Sequence, residues 1–318
     1  MDGLSRATRG GVGAVVVGLA LAAGALLAGW VSGSAYDGFL AAKESAPADA
    51  RVLGESFDPL TNPEPTPTEP AGFPYVSAQS IAVIDAACGA MIYGRDADAR
   101  MAPASLTKLM TAAVAVEQAG LSEMFRVDVD GRQLHEDTGS TVMGLQPGME
   151  LSLRDLLYGL LRPSGNDAAI AIADGVAGSQ DGFVSLMNAK AESLDLDNSH
   201  FTNPHGLYEE DLHSSARDMA ILARYVLQNA DLREIVRTIS WQPRWAGPPV
   251  WNGNALLQEY DGADGVKIGY TEESQQTIVA SATRNGRSLI ASLMRSHDRY
   301  QDASRVLDWA YEQPSPCP

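Results

Sequence analysis

Ser105 and Lys108 stand three positions apart in APASLTKLM, residues 102–110, an otherwise apolar and helix-favouring run. A serine hydroxyl is a poor nucleophile until a neighbouring base takes its proton, and residues i and i+3 of a helix share one face. Lys108 is therefore placed to be that base, once burial or nearby cations bring its pKa down to about 7 or 8. Ser105 is expected at a helix N-terminus, where free backbone N–H groups favour a developing oxyanion. Taken alone, the pair also describes a capping serine followed by a solvated lysine. Two later stretches tip the balance towards chemistry: Ser164-Gly165-Asn166, a polar turn between helical patterns, and Lys267-Ile268-Gly269 on a predicted strand. Together they offer a nucleophile, proton-handling groups and a cation.

The elements that must position these residues are readable from periodicity. SIAVIDAACGAMIYGRD reads as a hairpin, two β-type runs around a glycine turn. Helical spacing runs through SLTKLMTAAVAVEQA, SLRDLLYGLL, NDAAIAIADGVA, QDGFVSLMNAKAESL and SSARDMAILARYVLQ, several behind a Ser, Asp or Asn cap. Strand patterns return at DGVKIGYT and QTIVASATRNGRSLIASLM, where Asn285-Gly286 marks a two-residue hairpin turn. A last amphipathic stretch, Tyr300 to Tyr311, predicts a closing helix. Strands at both ends with helices between them predict an α+β fold: an antiparallel sheet assembled from the two ends of the domain, with a helical subdomain inserted.

Composition bounds the partners. Of 318 residues 45% are hydrophobic, ample for a core, and a formal net charge of −17 argues against nucleic acid or an anionic lipid surface as the main ligand. Residues 1–36 begin with Arg6 and Arg9 and continue through the apolar run Val12 to Val31, the pattern of a signal-anchor or signal peptide. Its length favours an uncleaved anchor, while Gly33-Ser34-Ala35 offers a cleavage site. Residues 37–74, rich in Pro, Glu, Thr and Ala, read as an extended stalk, and residues 75–318 as the functional domain, on the outer side of the membrane. Cys88 and Cys317 are the two cysteines. Neither has metal-ligand spacing, so no metal or cofactor is expected, and the pair forms either one disulfide or two free thiols.

S-x-x-K, S-x-N and K-x-G in that order are the signature of penicillin-recognising serine acyltransferases. From about Val76 to Tyr311 the chain resembles the serine D-alanyl-D-alanine carboxypeptidases, the low-molecular-mass penicillin-binding proteins. PASLTKLMTA, SGNDAAIAIAD, GSQDGFVSLMN, FTNPHGL, SSARDMA and GADGVKIGYT follow that family's segments in its order. The resemblance implies a β-lactamase/transpeptidase-like fold, an antiparallel sheet flanked by terminal helices, with the site between sheet and helical subdomain. It implies as substrate a peptidoglycan stem peptide ending in D-Ala-D-Ala, and β-lactams as covalent inhibitors. Ser105 would attack the terminal peptide bond with Lys108 as base, while Ser164 and Asn166 relay protons and hold the substrate. Lys267, Gly269, Tyr270, Thr271 and Arg299 would bind the substrate, Lys267 and Arg299 at its carboxylate, with the N–H groups of Ser105 and Tyr270 as oxyanion hole. Arg299 is equally readable as a solvent-facing arginine at a helix start. His205 is expected to be structural, and Asp218 a helix cap or half of a buried ion pair. The chain stops soon after its last helix, so it is expected to lack the extra C-terminal β domain of some members. One position departs from the family pattern: Ile268 stands where the third motif usually has threonine. A non-catalytic sensor, an endopeptidase and a β-lactamase are the competing readings; the last needs an added carboxylate base, and the sequence around Glu209 and Glu210, which follow NPHGL, does not resemble the loop that would carry it.

Overall fold

The structure, a computed structural model, describes residues 69–243 and 249–318. The expected membrane segment, residues 1–36, and all but the end of the linker 37–74 lie outside the described residues. In chain order the elements are β1 (Ser80–Asp85), β2 (Met91–Arg95), a 3₁₀ turn (Ala104–Thr107), α1 (Lys108–Gln118), β3 (Met124–Arg126), α2 (Gly131–Thr138), β4 (Glu150–Ser152), α3 (Leu153–Leu161) and α4 (Asn166–Ala177). They continue with α5 (Gln180–Ser193), α6 (Ala216–Gln228), α7 (Ala230–Arg237), β5 (Ser240–Trp241), β6 (Val250–Trp251), α8 (Leu256–Glu259), β7 (Ala263–Thr271), β8 (Gln275–Arg284), β9 (Arg287–Ser296) and α9 (Arg299–Glu312).

The main sheet has the order β2-β1-β9-β8-β7 and is antiparallel throughout. β1 is buried along its whole length, because both faces of the sheet are covered. Side chains alternate across a strand: Ala82 and Ile84 face the helical core, while Ile81 and Val83 face the cluster under α9. On β9, Ile290 and Met294 join the first cluster and Leu289, Ala291 and Leu293 the second. From α9, Ala303, Val306, Leu307 and Ala310 enter the second cluster at the i, i+3, i+4, i+7 spacing of a helix stripe. Asn285 and Gly286 both take positive φ, 50° and 80°, between the paired Arg284 and Arg287, the geometry of the expected two-residue turn.

α1 is buried from Lys108 through Ala115, since it runs through the middle of the helical region and packs on α3, α4, α5 and α6. A helix apolar all round belongs in such a place. The expected serine caps hold at Ser152, Ser179 and Ser215, whose side chains accept from Asp155, Gly182 and Asp218 N–H. Three helices escaped the sequence reading, among them α8, a single turn over Leu256–Glu259. α2 buries only Gly131, so it has no apolar stripe; the Asp130 cap and the left-handed Gly139 close its ends. α7 carries Leu232, Ile235 and Val236 inward, a stripe too short to stand out. Among the described residues no helix is long and apolar enough to cross a membrane. Of the two cysteine alternatives the structure has the disulfide: Cys88 in the β1–β2 turn is bonded to Cys317 in the tail after α9.

Candidate active site

The nucleophile sits in a tight turn rather than in the α-helix proper. Ala104, buried, takes φ 49°, and the 3₁₀ turn that follows has about three residues per turn, so side chains at i and i+3 eclipse. That stacks Lys108, the first residue of α1, on Ser105: Nζ lies 3.0 Å from Ser105 Oγ. The same nitrogen donates to Asn166 Oδ1 and to the His205 carbonyl, each at 2.6 Å. Neither of those oxygens can donate, so each consumes one N–H of the amine. A neutral amine then keeps its lone pair for the Ser105 hydroxyl. Burial, and secondly the charge of Lys267, hold the Lys108 pKa well below the ordinary lysine range, with Asp167 partly opposing.

Across the cleft the second and third motifs meet. Lys267 Nζ donates to Ser164 Oγ and to the Ile268 carbonyl, both at 2.9 Å. Its pKa is pushed down to about 7, by burial first and by the neighbouring Arg299 second. Ser164 takes φ 67°, a left-handed conformation uncommon outside glycine and one that functional sites collect. Arg299, the first residue of α9, is half-buried and lines the cleft. Its Nη1 donates to the Gly269 and Thr277 carbonyls at 2.7 and 3.2 Å, and its Nε to Gln276 Oε1 at 3.1 Å. The solvent-facing reading of Arg299 is therefore set aside, and its Nη2 is left for a ligand.

Close approach explains the glycines. A Cβ at Gly269 would lie 2.6 Å from Thr277 Oγ1, 2.9 Å from the Ser105 nitrogen and 3.1 Å from Ala104 Cβ, so only glycine lets β7 reach the nucleophile turn. Gly206, at φ 89°, would put a Cβ 2.0 Å from the Ala104 carbonyl oxygen; its bare backbone lets the His205 loop press onto that turn. Tyr270 follows on β7 and is 58% exposed at the cleft. Thr271 also lines the cleft, but its hydroxyl and N–H both bond Ser274 Oγ, at 3.1 and 2.9 Å, closing the β7–β8 turn. Ile268 lines the cleft with an apolar side chain opposite Gly253. The cleft they enclose has a volume of about 560 Å³.

His205 contributes its carbonyl to Lys108, not its ring. The ring Nδ1 accepts from Leu207 N–H at 3.2 Å, and burial followed by the Lys108 charge pushes its pKa down to about 3, so it stays neutral. Asp218 accepts from Asn198 N–H and Ser199 Oγ at 2.9 and 2.7 Å, tying that loop to α6. It has no ion-pair partner among the described residues, which corrects the ion-pair alternative. The sequence reading missed Asp167. Fully buried beside Asn166, its carboxylate accepts four N–H groups, from Met143, Gly144, Leu145 and Ala168, at 2.8 to 2.9 Å. It thereby fixes the loop after Thr141, a cleft wall. An acid in the first turn of α4, directly after S-x-N, was the available signal. Glu209 and Glu210 do not line the cleft.

The D-alanyl-D-alanine carboxypeptidase family model matches residues 66–298, a span that contains all three motifs. The chain belongs to this family. It is 35% identical over 243 residues, 74% of its length, to the D-alanyl-D-alanine carboxypeptidase DacF of Bacillus subtilis. It is also 35% identical over 253 residues to DacA of Escherichia coli, and it spans 62% of the length of each of these two relatives. The crystal structure of the Streptomyces K15 DD-transpeptidase superposes with a TM-score of 0.72 at 28% identity, covering 76% of this chain and 99% of that one. A DD-peptidase fold of the α+β class is thereby shown.

Proposed function

We propose that the chain is a serine D-Ala-D-Ala carboxypeptidase that trims peptidoglycan stem peptides through an acyl-enzyme on Ser105. The observation that carries this reading is the buried Lys108 amine, held by two acceptors that cannot donate and 3.0 Å from Ser105 Oγ. The substrate carboxylate meets protonated Lys267 and Arg299 Nη2. Ser105 Oγ attacks the penultimate D-Ala carbonyl as its proton passes to Lys108 Nζ, and the oxyanion faces the backbone N–H groups of Ser105 and Tyr270. Collapse breaks the C–N bond; the leaving amine takes the proton that Lys108 carries, relayed by Ser164 Oγ, which leaves Lys108 neutral and Lys267 charged. Water, deprotonated by Lys108, then adds to the ester carbonyl, and Lys108 returns the proton to Ser105 Oγ as the C–O bond breaks. β-lactams acylate the same oxygen.

Turnover is favoured over a sensor because every proton-handling group is in hydrogen-bond contact. A β-lactamase needs a carboxylate beside the ester, and neither Glu209 nor Glu210 reaches the cleft. Residues 1–36 would anchor the domain outside the membrane on the 37–74 stalk; the Cys88–Cys317 disulfide supports an oxidising compartment. The test pairs a fluorescent penicillin with a diacylated Lys-D-Ala-D-Ala peptide. A stable adduct together with D-alanine release supports the proposal; a lasting adduct without release means a sensor, and rapid adduct loss a lactamase. Ser105→Ala abolishes both signals.

A further inference from the structure

Gln276 does not line the cleft, yet its side chain governs one that does. It lies at the start of β8, paired with Tyr270 on β7 and Ser296 on β9. Its Oε1 accepts twice from Arg299, from the backbone N–H at 3.2 Å and from Nε at 3.1 Å. Its Nε2 donates to the His297 carbonyl at 2.9 Å. Arginine only donates and a carbonyl only accepts, so the amide can face no other way. The Arg299 N–H belongs to the first turn of α9, where backbone donors have no partner inside the helix. One side chain thereby ties the helix start and the guanidinium to the same strand. Just beyond Gln276 the β8–β9 register shifts, and Arg295 on β9 takes φ 57°, a bulge of the kind that re-aims side chains beside active sites.

The guanidinium is a rigid plane. With Nη1 on the Gly269 and Thr277 carbonyls and Nε on Gln276, two of its three nitrogens are fixed, which sets the tilt of the plane and the direction of Nη2. All three acceptors are neutral oxygens. They use up N–H groups without cancelling charge, so the cation stays available to an incoming carboxylate. A glutamate at 276 would make an ion pair with Arg299 and compete with the ligand. An apolar residue would leave Nε unpartnered in a half-buried place and the plane free to turn about its Nη1 bonds.

We propose that Gln276 is a positioning residue for the substrate carboxylate, a neutral acceptor that aims Arg299 without consuming its charge. This rests on the carboxypeptidase reading above. The experiment measures steady-state D-alanine release from diacetyl-Lys-D-Ala-D-Ala by the full-length protein in detergent. It compares the wild type with Gln276→Met, Gln276→Glu, Arg299→Ala and the Gln276→Met/Arg299→Ala double variant. Methionine keeps the length and bulk and removes the strong acceptor. KM should rise about three- to tenfold, part of the worth of a hydrogen bond to a charged group, with kcat within about twofold. Gln276→Glu should raise KM at least as much. In the Arg299→Ala background Gln276→Met should move KM by less than about twofold, because no guanidinium is left to aim. Effects that multiply in the double variant would overturn the proposal, as would an unchanged KM in Gln276→Met. A fall in kcat alone would also overturn it, by moving the influence of Gln276 to the backbone of its partner Tyr270. Should a thermal melt show that Gln276→Met does not fold, Gln276→Glu decides by the same KM criterion. These outcomes leave the carboxypeptidase reading intact, whereas absence of release by the wild type would overturn both.

Discussion

Ile268→Thr tests how the cleft holds a carboxylate, because it should push activity and stability in opposite directions. Ile268 lines the cleft one residue after Lys267 and packs partly against the cluster under α9. A hydroxyl there adds a hydrogen bond to a charged group, worth about 1.5–3 kcal/mol, or roughly tenfold to a hundredfold in kcat/KM. Lys267 and Arg299 already supply charged donors, so the gain belongs at the low end, about tenfold. Against it, the swap removes apolar volume from a half-buried site, costing about 1 kcal/mol and lowering Tm by about 2–4 °C. The assay is D-alanine release from diacetyl-Lys-D-Ala-D-Ala alongside a thermal melt. Unchanged or lower kcat/KM with Tm inside that window would refute the reasoning, since the carboxylate would then lie away from residue 268.

Asp167→Asn keeps the shape but turns an amide N–H₂ towards two of four backbone donors; the loss of two charge-assisted bonds should cost about 3 kcal/mol or more and lower Tm by about 6–12 °C, whereas an unchanged melt would mean that the loop after Thr141 does not depend on it. Gly269→Ala drives a Cβ against the Ser105 nitrogen; penicillin acylation should fall about a hundredfold, as for a roughly 1 Å displacement of reacting groups, and near-normal acylation would show that β7 can retreat freely. Arg299→Ala should raise KM for the peptide and also move the alkaline limb of kcat/KM upward, because the neighbour that depresses Lys267 is gone; a fixed limb would separate Arg299 from that lysine.

Much of the site was legible in the sequence because it is written in side-chain types at helical or strand spacing. S-x-x-K needed only the i, i+3 rule, and the structure sharpened it: the turn is 3₁₀, which stacks the two side chains more directly. The hairpins and the apolar helix α1 followed from period and from Asn285-Gly286. What escaped lies in the backbone. The His205 carbonyl that holds Lys108 has no residue-type signature, nor does the left-handed φ of Ser164. The reason for glycine at 206 and 269 appears only when two distant segments touch. Thr271 looked free to bind a ligand until the β7–β8 turn brought Ser274 onto it. α2 was invisible because the caps at its two ends, rather than an apolar stripe, define it.

The most direct measurement is the pH dependence of Ser105 acylation by a fluorescent penicillin, from pH 5 to 10. The depressed Lys108 pKa means that the reactive, unprotonated amine forms as pH rises through a value far below about 10.4, where a free lysine titrates. Acylation should therefore rise from acid pH to a maximum far below pH 10 and then decline as Lys267, with its pKa of about 7, loses the charge that attracts the carboxylate. A rate that instead climbs about tenfold per pH unit up to pH 10 would contradict the account, since Lys108 would then be an ordinary charged lysine.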